Sequence, residues 1–376
     1  MPQDAQTQTS PLRAVGRYVM HRLREAALYP RMAVPASTPR IVFLPSDVRT
    51  MSSLLRGYNM AEAFQTMGWN PIVLPKQLDP GQRRRILRFF RPDMAVLLGS
   101  RLPANSRHLL EGIPYVYDLD DADFHNPALE EEIRADVTRA DGVAAGSRYI
   151  ANWCEALNPN TTIIWTGSPD IEPDWTDHTQ REGVVTWAQS APTRYKLEFA
   201  FVTDVMERVA AARPGVKFRL YGCGPEDADH PLVQRLRAAG VDVELKPFMD
   251  GYADFIASLQ ETAVGLSAII PSNAFSKGKS FGKILAYLSA GVPVIASDEV
   301  DHGAFFRPET GIVSNDPEVW AEKTIALLDD PALRNAMVQA AHADFRKHLT
   351  TEVAAEQLDR LCRAILEARK SAARPA

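Results

Sequence analysis

Apolar and polar positions along this chain follow two periods in alternation. The runs "IVFLP" (41–45), "PIVLP" (71–75), "MAVLLGS" (94–100), "PYVYDLD" (114–120), "GVAAGS" (142–147) and "TTIIW" (161–165) predict strands. Between them, helix-period segments fall at 56–68, 81–90, 103–111, 127–139 and 148–157. The strands are continuous apolar runs, as a parallel sheet covered on both faces requires. Residues 167–183, "GSPDIEPDWTDHTQREG", hold prolines and acids with no apolar period, and predict a linker. The alternation then restarts with strands "GVVTWA", "VKFRLYG", "VDVELKP", "AVGLSAI", "PVIAS" and "GIVS". Helices are predicted at 195–212, 231–239 and 252–260, and three more, at 317–328, 331–345 and 351–369, close the chain. The pattern predicts an α/β protein of two Rossmann-like, doubly wound parallel-sheet domains facing a cleft. The divisions are an N-terminal extension at 1–39, a first domain at 40–166 and a linker at 167–183. A second domain follows at 184–350, then a C-terminal helical segment at 351–376 that could pack back on the first domain.

Composition narrows this little. With 376 residues, 45% hydrophobic and 24% charged, the chain is ordinary for a two-domain globular protein. Its three cysteines are odd in number and far apart, so no disulfide framework follows and a reducing cytoplasm is expected. No apolar run reaches the roughly 18 residues a membrane span needs. Residues 1–10 read as a disordered lead, and 11–32 are charged throughout, unlike the apolar core of a signal peptide. The net charge of −5 argues against general nucleic-acid binding. It conceals an asymmetry: residues 1–110 carry +10 and the remainder −15. Arg13, Arg17, Arg22, Arg24 and Arg31 form one basic cluster. Arg83, Arg84, Arg85, Arg88 and Arg91 form another, interleaved with Ile86, Leu87, Phe89 and Phe90. That second composition fits either an amphipathic segment on an anionic membrane or a solvated helix with its greasy side in the core.

The densest candidate chemistry is "SKGKSFGKILAYLSAGVPVIASD" (276–298). Phe281, Ile284, Leu285 and Leu288 share one helical face, Gly291 suits the helix end and Pro293 stops continuation. Lys277, Gly278, Lys279, Ser280 and Gly282 then stand at a helix N-terminus on the carboxyl edge of a sheet. Free N–H groups and fixed cations there favour an anion, and a diphosphate would meet both Lys279 and Lys283. Three other readings compete. A P-loop needs glycine where Asn273 stands. A dinucleotide fingerprint at "GCGPED" offers Gly222 and Gly224 but Asp227 in third place. An ordinary solvated loop also fits three lysines.

This stretch resembles the donor-site signature of the group-1 (family 4-like) glycosyltransferases, a retaining family with the GT-B fold. "TGIVSNDPEVWAEKTIALLDDPALRNAMVQAA" (310–341) and "DGVAAGSRYIANWCEALNPNTTIIWTGSPD" (141–170) are similar to other segments of that family, in family order. The resemblance covers roughly 41–350. It implies donor binding by the second domain and acceptor binding by the first, without a metal or other cofactor. Carried over by position, Ser280, Phe281, Gly282 and Lys283 face the donor diphosphate and sugar. Arg194 and Lys196 in "WAQSAPTRYKL" take the place of the family's phosphate-binding basic pair, beside Ser190. Gly222 and Gly224 form the Gly-x-Gly-Pro turn, and "KPFMDGY" with Phe248 lies where the base is held. The resemblance makes Lys283 and Arg194 the groups that stabilise the leaving diphosphate. The chain departs from the family at Gly278 and Ala286, where two glutamates usually stand.

Asp118, Asp120 and Asp121 in "DLDDADF" suit either an acceptor-orienting carboxylate or a helix cap. Arg49 and Arg56 suit either an acceptor or donor phosphate or an ordinary surface. His108 and His125 lack metal-ligand spacing. The expectation is a cytoplasmic or membrane-peripheral glycosyltransferase acting on a nucleotide sugar and a glycan or lipid-linked acceptor, in polysaccharide or glycolipid biosynthesis. The alternatives are an impaired nucleotide-sugar-binding protein and a nucleotide-sugar epimerase on the same fold.

Overall fold

The computed structural model describes residues 23, 25–32, 37–46, 51–170, 175–272 and 274–372. The lead at 1–10, the side chains of the first basic cluster, and Arg49 lie outside the described residues. The apolar runs form twelve strands in two sheets of six. β1 (Arg40–Leu44), β2 (Asn70–Val73), β3 (Met94–Leu98), β4 (Tyr115–Leu119), β5 (Gly142–Ala145) and β6 (Thr161–Ile163) lie in the order β2-β1-β3-β4-β5-β6. β7 (Val184–Ala188), β8 (Lys217–Tyr221), β9 (Asp242–Lys246), β10 (Thr262–Ser267), β11 (Val294–Ala296) and β12 (Ile312–Val313) lie in the order β12-β11-β10-β7-β8-β9. Every neighbouring pair is parallel. The central strands β3, β7 and β10 are buried at every position, which is why they read as unbroken apolar runs.

In the second sheet the strand order reverses between β7 and β10. Chains leaving two such neighbours turn to opposite faces, so a crevice opens beyond their carboxyl ends. The loops after β7, β8 and β10 therefore line the cleft, and the 279–283 loop that leads into helix Lys283–Ser289 faces them.

Two predicted helices differ in extent. The helix expected at 56–68 starts at Met51 and passes through a π-helical turn, Leu54–Tyr58, before Asn59–Thr66. The π turn carries Met51 and Leu55 toward the second domain, where both join an apolar cluster with Tyr252 and Phe281. The expected helix at 103–111 is only the turn Arg107–Leu109.

Helix Pro80–Phe90 answers the question posed by the arginine-rich segment. Ile86, Leu87 and Phe90 are buried in the first domain's core. Arg83 is also buried, donating to the carbonyls of Leu78 and Pro75 and to Asn105. Phe89 remains 60% exposed, with Arg84, Arg85 and Arg88 exposed around it.

The chain crosses between domains twice, and the crossings are bonded side by side. Ser168 N donates to Leu349 O at 2.9 Å, and Thr351 N donates to Ser168 O at 2.9 Å. A Cβ on Gly167 would lie 2.3 Å from Thr350 O, so the two strands touch at backbone distance. Helix Thr351–Ala372 then returns to the first domain. Its Ala354, Leu358, Leu361 and Ile365 share a core with Phe43 and Phe64, and Trp69 Nε1 donates to Asp359 at 2.6 Å. The described end of the linker is strapped to the second domain. His178 Nε2 donates to Gly291 O at 2.8 Å, while Arg181 donates to the carbonyls of Thr176, Thr262 and Ala290.

Candidate functional site

The cleft holds two adjoining cavities. The larger, about 500 Å³, is walled mainly by rings and thioethers: Met51, Tyr221, Phe248, Met249, Tyr252 and Phe255. The tyrosine hydroxyls point elsewhere. Tyr221 donates to Ser258 Oγ at 2.9 Å, and Tyr252 is bonded to Ser168 Oγ at 2.8 Å. The chamber thus offers ring faces, the surface a flat heteroaromatic base stacks on. Ser190 and Asp250 supply polar atoms at its wall.

The smaller cavity, about 220 Å³, is polar and charged. Lys279 and Lys283 come from the loop before helix Lys283–Ser289, and Tyr195 and Glu198 from the β7 side. Asp121 reaches in from the first domain. Gln189, Gly282 and Lys283 line both cavities and mark their junction. The Lys279 ammonium lies 5.1 Å from the Tyr195 ring centre and that of Lys283 5.9 Å. Among the described residues neither lysine makes an ion pair. Lys283 is an exposed residue lining the cleft, where the surrounding protein displaces part of its hydration. That desolvation, with the nearby Lys279 charge, lowers its pKa to about 8. It is therefore a cation at neutral pH with no local counter-ion bonded to it, which is the state an anionic ligand would exploit.

The structure brings Lys279, Ser280, Phe281, Gly282 and Lys283 to the cleft as a group. Phe281 is buried against Trp165, with ring centres 4.9 Å apart, and so shapes the wall rather than projecting into it. Ser190 and Phe248 line the larger chamber. Gly222 lies directly under Gln189: a Cβ there would sit 2.1 Å from Gln189 O, and its φ of +86° independently favours glycine. Gly224 shapes the following turn, its N donating to Asp227 at 2.8 Å.

Other expected residues stand apart. Arg194 and Lys196 are exposed and line neither cavity, because the turn Pro192–Arg194 rotates Tyr195 inward between them. Arg56 and Asp118 are both buried and close on each other through two hydrogen bonds of 2.8 Å. They brace the first domain, so the placement of Arg56 and Asp118 at an acceptor or phosphate contact is corrected: neither has a free polar edge. Asp120 accepts from Thr166 Oγ1 at 2.8 Å beside that pair. Asp121 stays at the cavity while accepting from Arg101 at 2.6 Å.

The two glutamate-lacking positions have distinct surroundings. Ala286 lines the larger chamber. Gly278 faces the first domain: a Cβ there would lie 2.3 Å from Ala122 Cβ and 3.0 Å from a Tyr149 ring carbon. A glutamate has no room at 278 with the domains seated as they are.

Gln189, Tyr195, Glu198, Tyr221, Tyr252 and Phe255 complete the site and were not singled out from sequence. The available signal was positional: Gln189 immediately follows the buried strand β7, at the carboxyl edge where ligands bind.

Residues 203–360 match the glycosyl transferase-like family. Among solved structures, the chain resembles TarM of S. aureus at a TM-score of 0.57 and 16% identity, covering 75% of this chain but only 58% of that one. A glycosyltransferase from Rickettsia africae gives a TM-score of 0.63 and 14% identity over 88% of this chain and 99% of that one. HepE of Anabaena, in complex with UDP and glucose, gives 0.61 and 15% over 85% and 98%. Comparison with curated protein sequences finds no match. The chain thus shares the GT-B fold of these glycosyltransferases, and its residues 203–360 are similar to the glycosyl transferase-like family.

Proposed function

We propose that the protein is a glycosyltransferase that takes a sugar from a nucleoside-diphosphate sugar bound in the C-terminal half of the cleft. One observation carries the reading: an aromatic chamber meets, at Gln189, Gly282 and Lys283, a chamber holding two ammoniums without ion-pair partners. A base stacked in the first would set its diphosphate beside Lys279 and Lys283. HepE, which shares the fold and is in complex with UDP and glucose, supports a nucleotide sugar as the ligand. As the glycosidic bond breaks, charge gathers on the leaving diphosphate. Fixed cations in a confined cleft stabilise that charge more than the neutral-bond ground state, and so lower the barrier. In this reading the reaction proceeds with retention and the departing phosphate oxygen accepts the proton of the attacking hydroxyl.

The acceptor reading is a lipid-linked or membrane-borne glycan met at the cytoplasmic leaflet. It rests on Phe89, 60% exposed on the same helix as the exposed Arg84 and Arg88, and on Leu23, 58% exposed, in a half that carries +10. Among the described residues no helix is long and apolar enough to cross a membrane.

The test supplies purified protein with labelled UDP-, GDP-, ADP- or TDP-sugars and a membrane extract. The expected result is labelled glycolipid or glycan with matching release of nucleoside diphosphate. Binding without transfer would identify an impaired nucleotide-sugar-binding protein. Conversion of the sugar without any acceptor would identify an epimerase. Either would overturn the transferase reading.

A further inference from the structure

Glu198 and Gln189 stand where the lysines need no partner and a ligand's hydroxyls would. Glu198 belongs to the first turn of helix Lys196–Ala212 and is 9% exposed, yet it lines the smaller cavity. Its one hydrogen bond among the described residues is a long one, from Ile270 N at 3.3 Å to Oε1. It makes no ion pair with Lys279 or Lys283, although all three border the same space. Gln189 is 8% exposed, and its buried Oε1 has no donor among the described residues. Leaving such an oxygen unbonded costs roughly 1–3 kcal/mol, a cost that rotation of the side chain toward a ligand's hydroxyl at the junction of the two cavities would relieve.

The residues that line the cavity therefore include two lysines, a glutamate and a glutamine, so cations and hydrogen-bond acceptors border the same space. The complementary ligand carries phosphate oxygens on one side and hydroxyl groups on the other. A sugar joined to a diphosphate has that chemistry beyond the phosphates; a bare nucleoside diphosphate carries hydroxyls only on its ribose, on the base side of the phosphates. We propose that Glu198 and Gln189 are the groups that recognise the donor's sugar, by accepting protons from its hydroxyls. The assignment rests on the donor reading above.

The experiment compares UDP with UDP-glucose, and GDP, ADP and TDP with their glucose or mannose sugars, by calorimetry on the full chain. The variants are Glu198→Gln and Gln189→Leu. Wild type should bind one sugar nucleotide more tightly than its parent diphosphate. Each variant should keep the diphosphate affinity within about twofold and lose about tenfold or more for the sugar nucleotide, the size of one charge-assisted hydrogen bond. The ligand-free thermal midpoint of Gln189→Leu should hold or rise, because the replacement removes a buried oxygen without a donor. Equal losses for diphosphate and sugar nucleotide, or no loss for either, would overturn the assignment while leaving the donor reading intact. A wild-type protein that binds neither ligand in any pair would overturn the donor reading itself, and this assignment with it.

Discussion

Lys283 is held as a cation in surroundings that disfavour charge, and this has a consequence for pH. Its folded pKa of about 8 lies below the ordinary lysine value, so the charged form predominates at pH 7 and is lost as pH rises through 8. Affinity for UDP should fall by up to about tenfold between pH 7 and 9, less whatever a bound anion restores. Lys283→Arg should flatten that profile, since guanidinium does not titrate in this range. A profile that is flat in wild type would remove Lys283 from the phosphate site. Lys279, Gly282 and Lys283 were legible in the sequence because charge and glycine stood between an apolar strand and an amphipathic helix. Tyr195 and Glu198 were not, since a ring or carboxylate in a polar stretch has no period to betray which way it points. Arg194 and Lys196 misled for the same reason: adjacent residues on a tight turn face opposite ways.

Helix Lys283–Ser289 ends at Gly291, which has φ +61° and sits against the Trp175 ring, where a Cβ would be 2.5 Å from a ring carbon. Gly240 has a similar φ of +83° with nothing within 4 Å of a Cβ. The two separate strain from crowding. Gly240→Ala should cost about 1–2 kcal/mol, the left-handed penalty alone. Gly291→Ala should cost a further 1–3 kcal/mol for overpacking against the linker. Chemical denaturation of both variants checks this, and equal losses would show that Trp175 yields freely. At this scale the sequence was most informative. All twelve strands fall within the apolar runs or one residue of them, because parallel strands buried on both faces leave few polar interruptions. The linker was less legible: its polar composition is real, but His178 and Arg181 spend that polarity on backbone carbonyls of the second domain.

The whole molecule is two sheets joined by paired crossings at Ser168 and Thr350, with one helix reaching back across. Buried His178 and His302 are both held near a pKa of about 4, by burial first, below the value of about 6.5 they regain on unfolding. Their contribution to stability is present above pH 6.5 and is lost as pH falls toward 4. Unfolding free energy should drop across that window, and a loss beginning only below pH 4 would contradict it. If the first domain meets a membrane, Arg84→Glu with Arg88→Glu should abolish co-sedimentation with anionic vesicles at low salt and leave UDP binding intact, since neither residue borders the cleft. Wild-type protein that ignores such vesicles would point to a soluble acceptor. The apolar strands, and the expectation that ligands bind beyond their carboxyl ends, were readable from the sequence, whereas the seam between domains was not. It depends on Gly278 meeting Ala122, and on Asp301 accepting from Trp165 Nε1 at 2.7 Å and Arg148 N at 3.0 Å, contacts between residues far apart in sequence. Whether a nucleoside diphosphate binds beside Lys283 is decided by calorimetric titration of UDP, GDP, ADP and TDP into wild type and Lys283→Ala. At least one diphosphate should bind wild type, and Lys283→Ala should weaken it by about 1.5–3 kcal/mol with the thermal midpoint of the free protein unchanged. Binding of none of the four, or equal affinity in the variant, would contradict it.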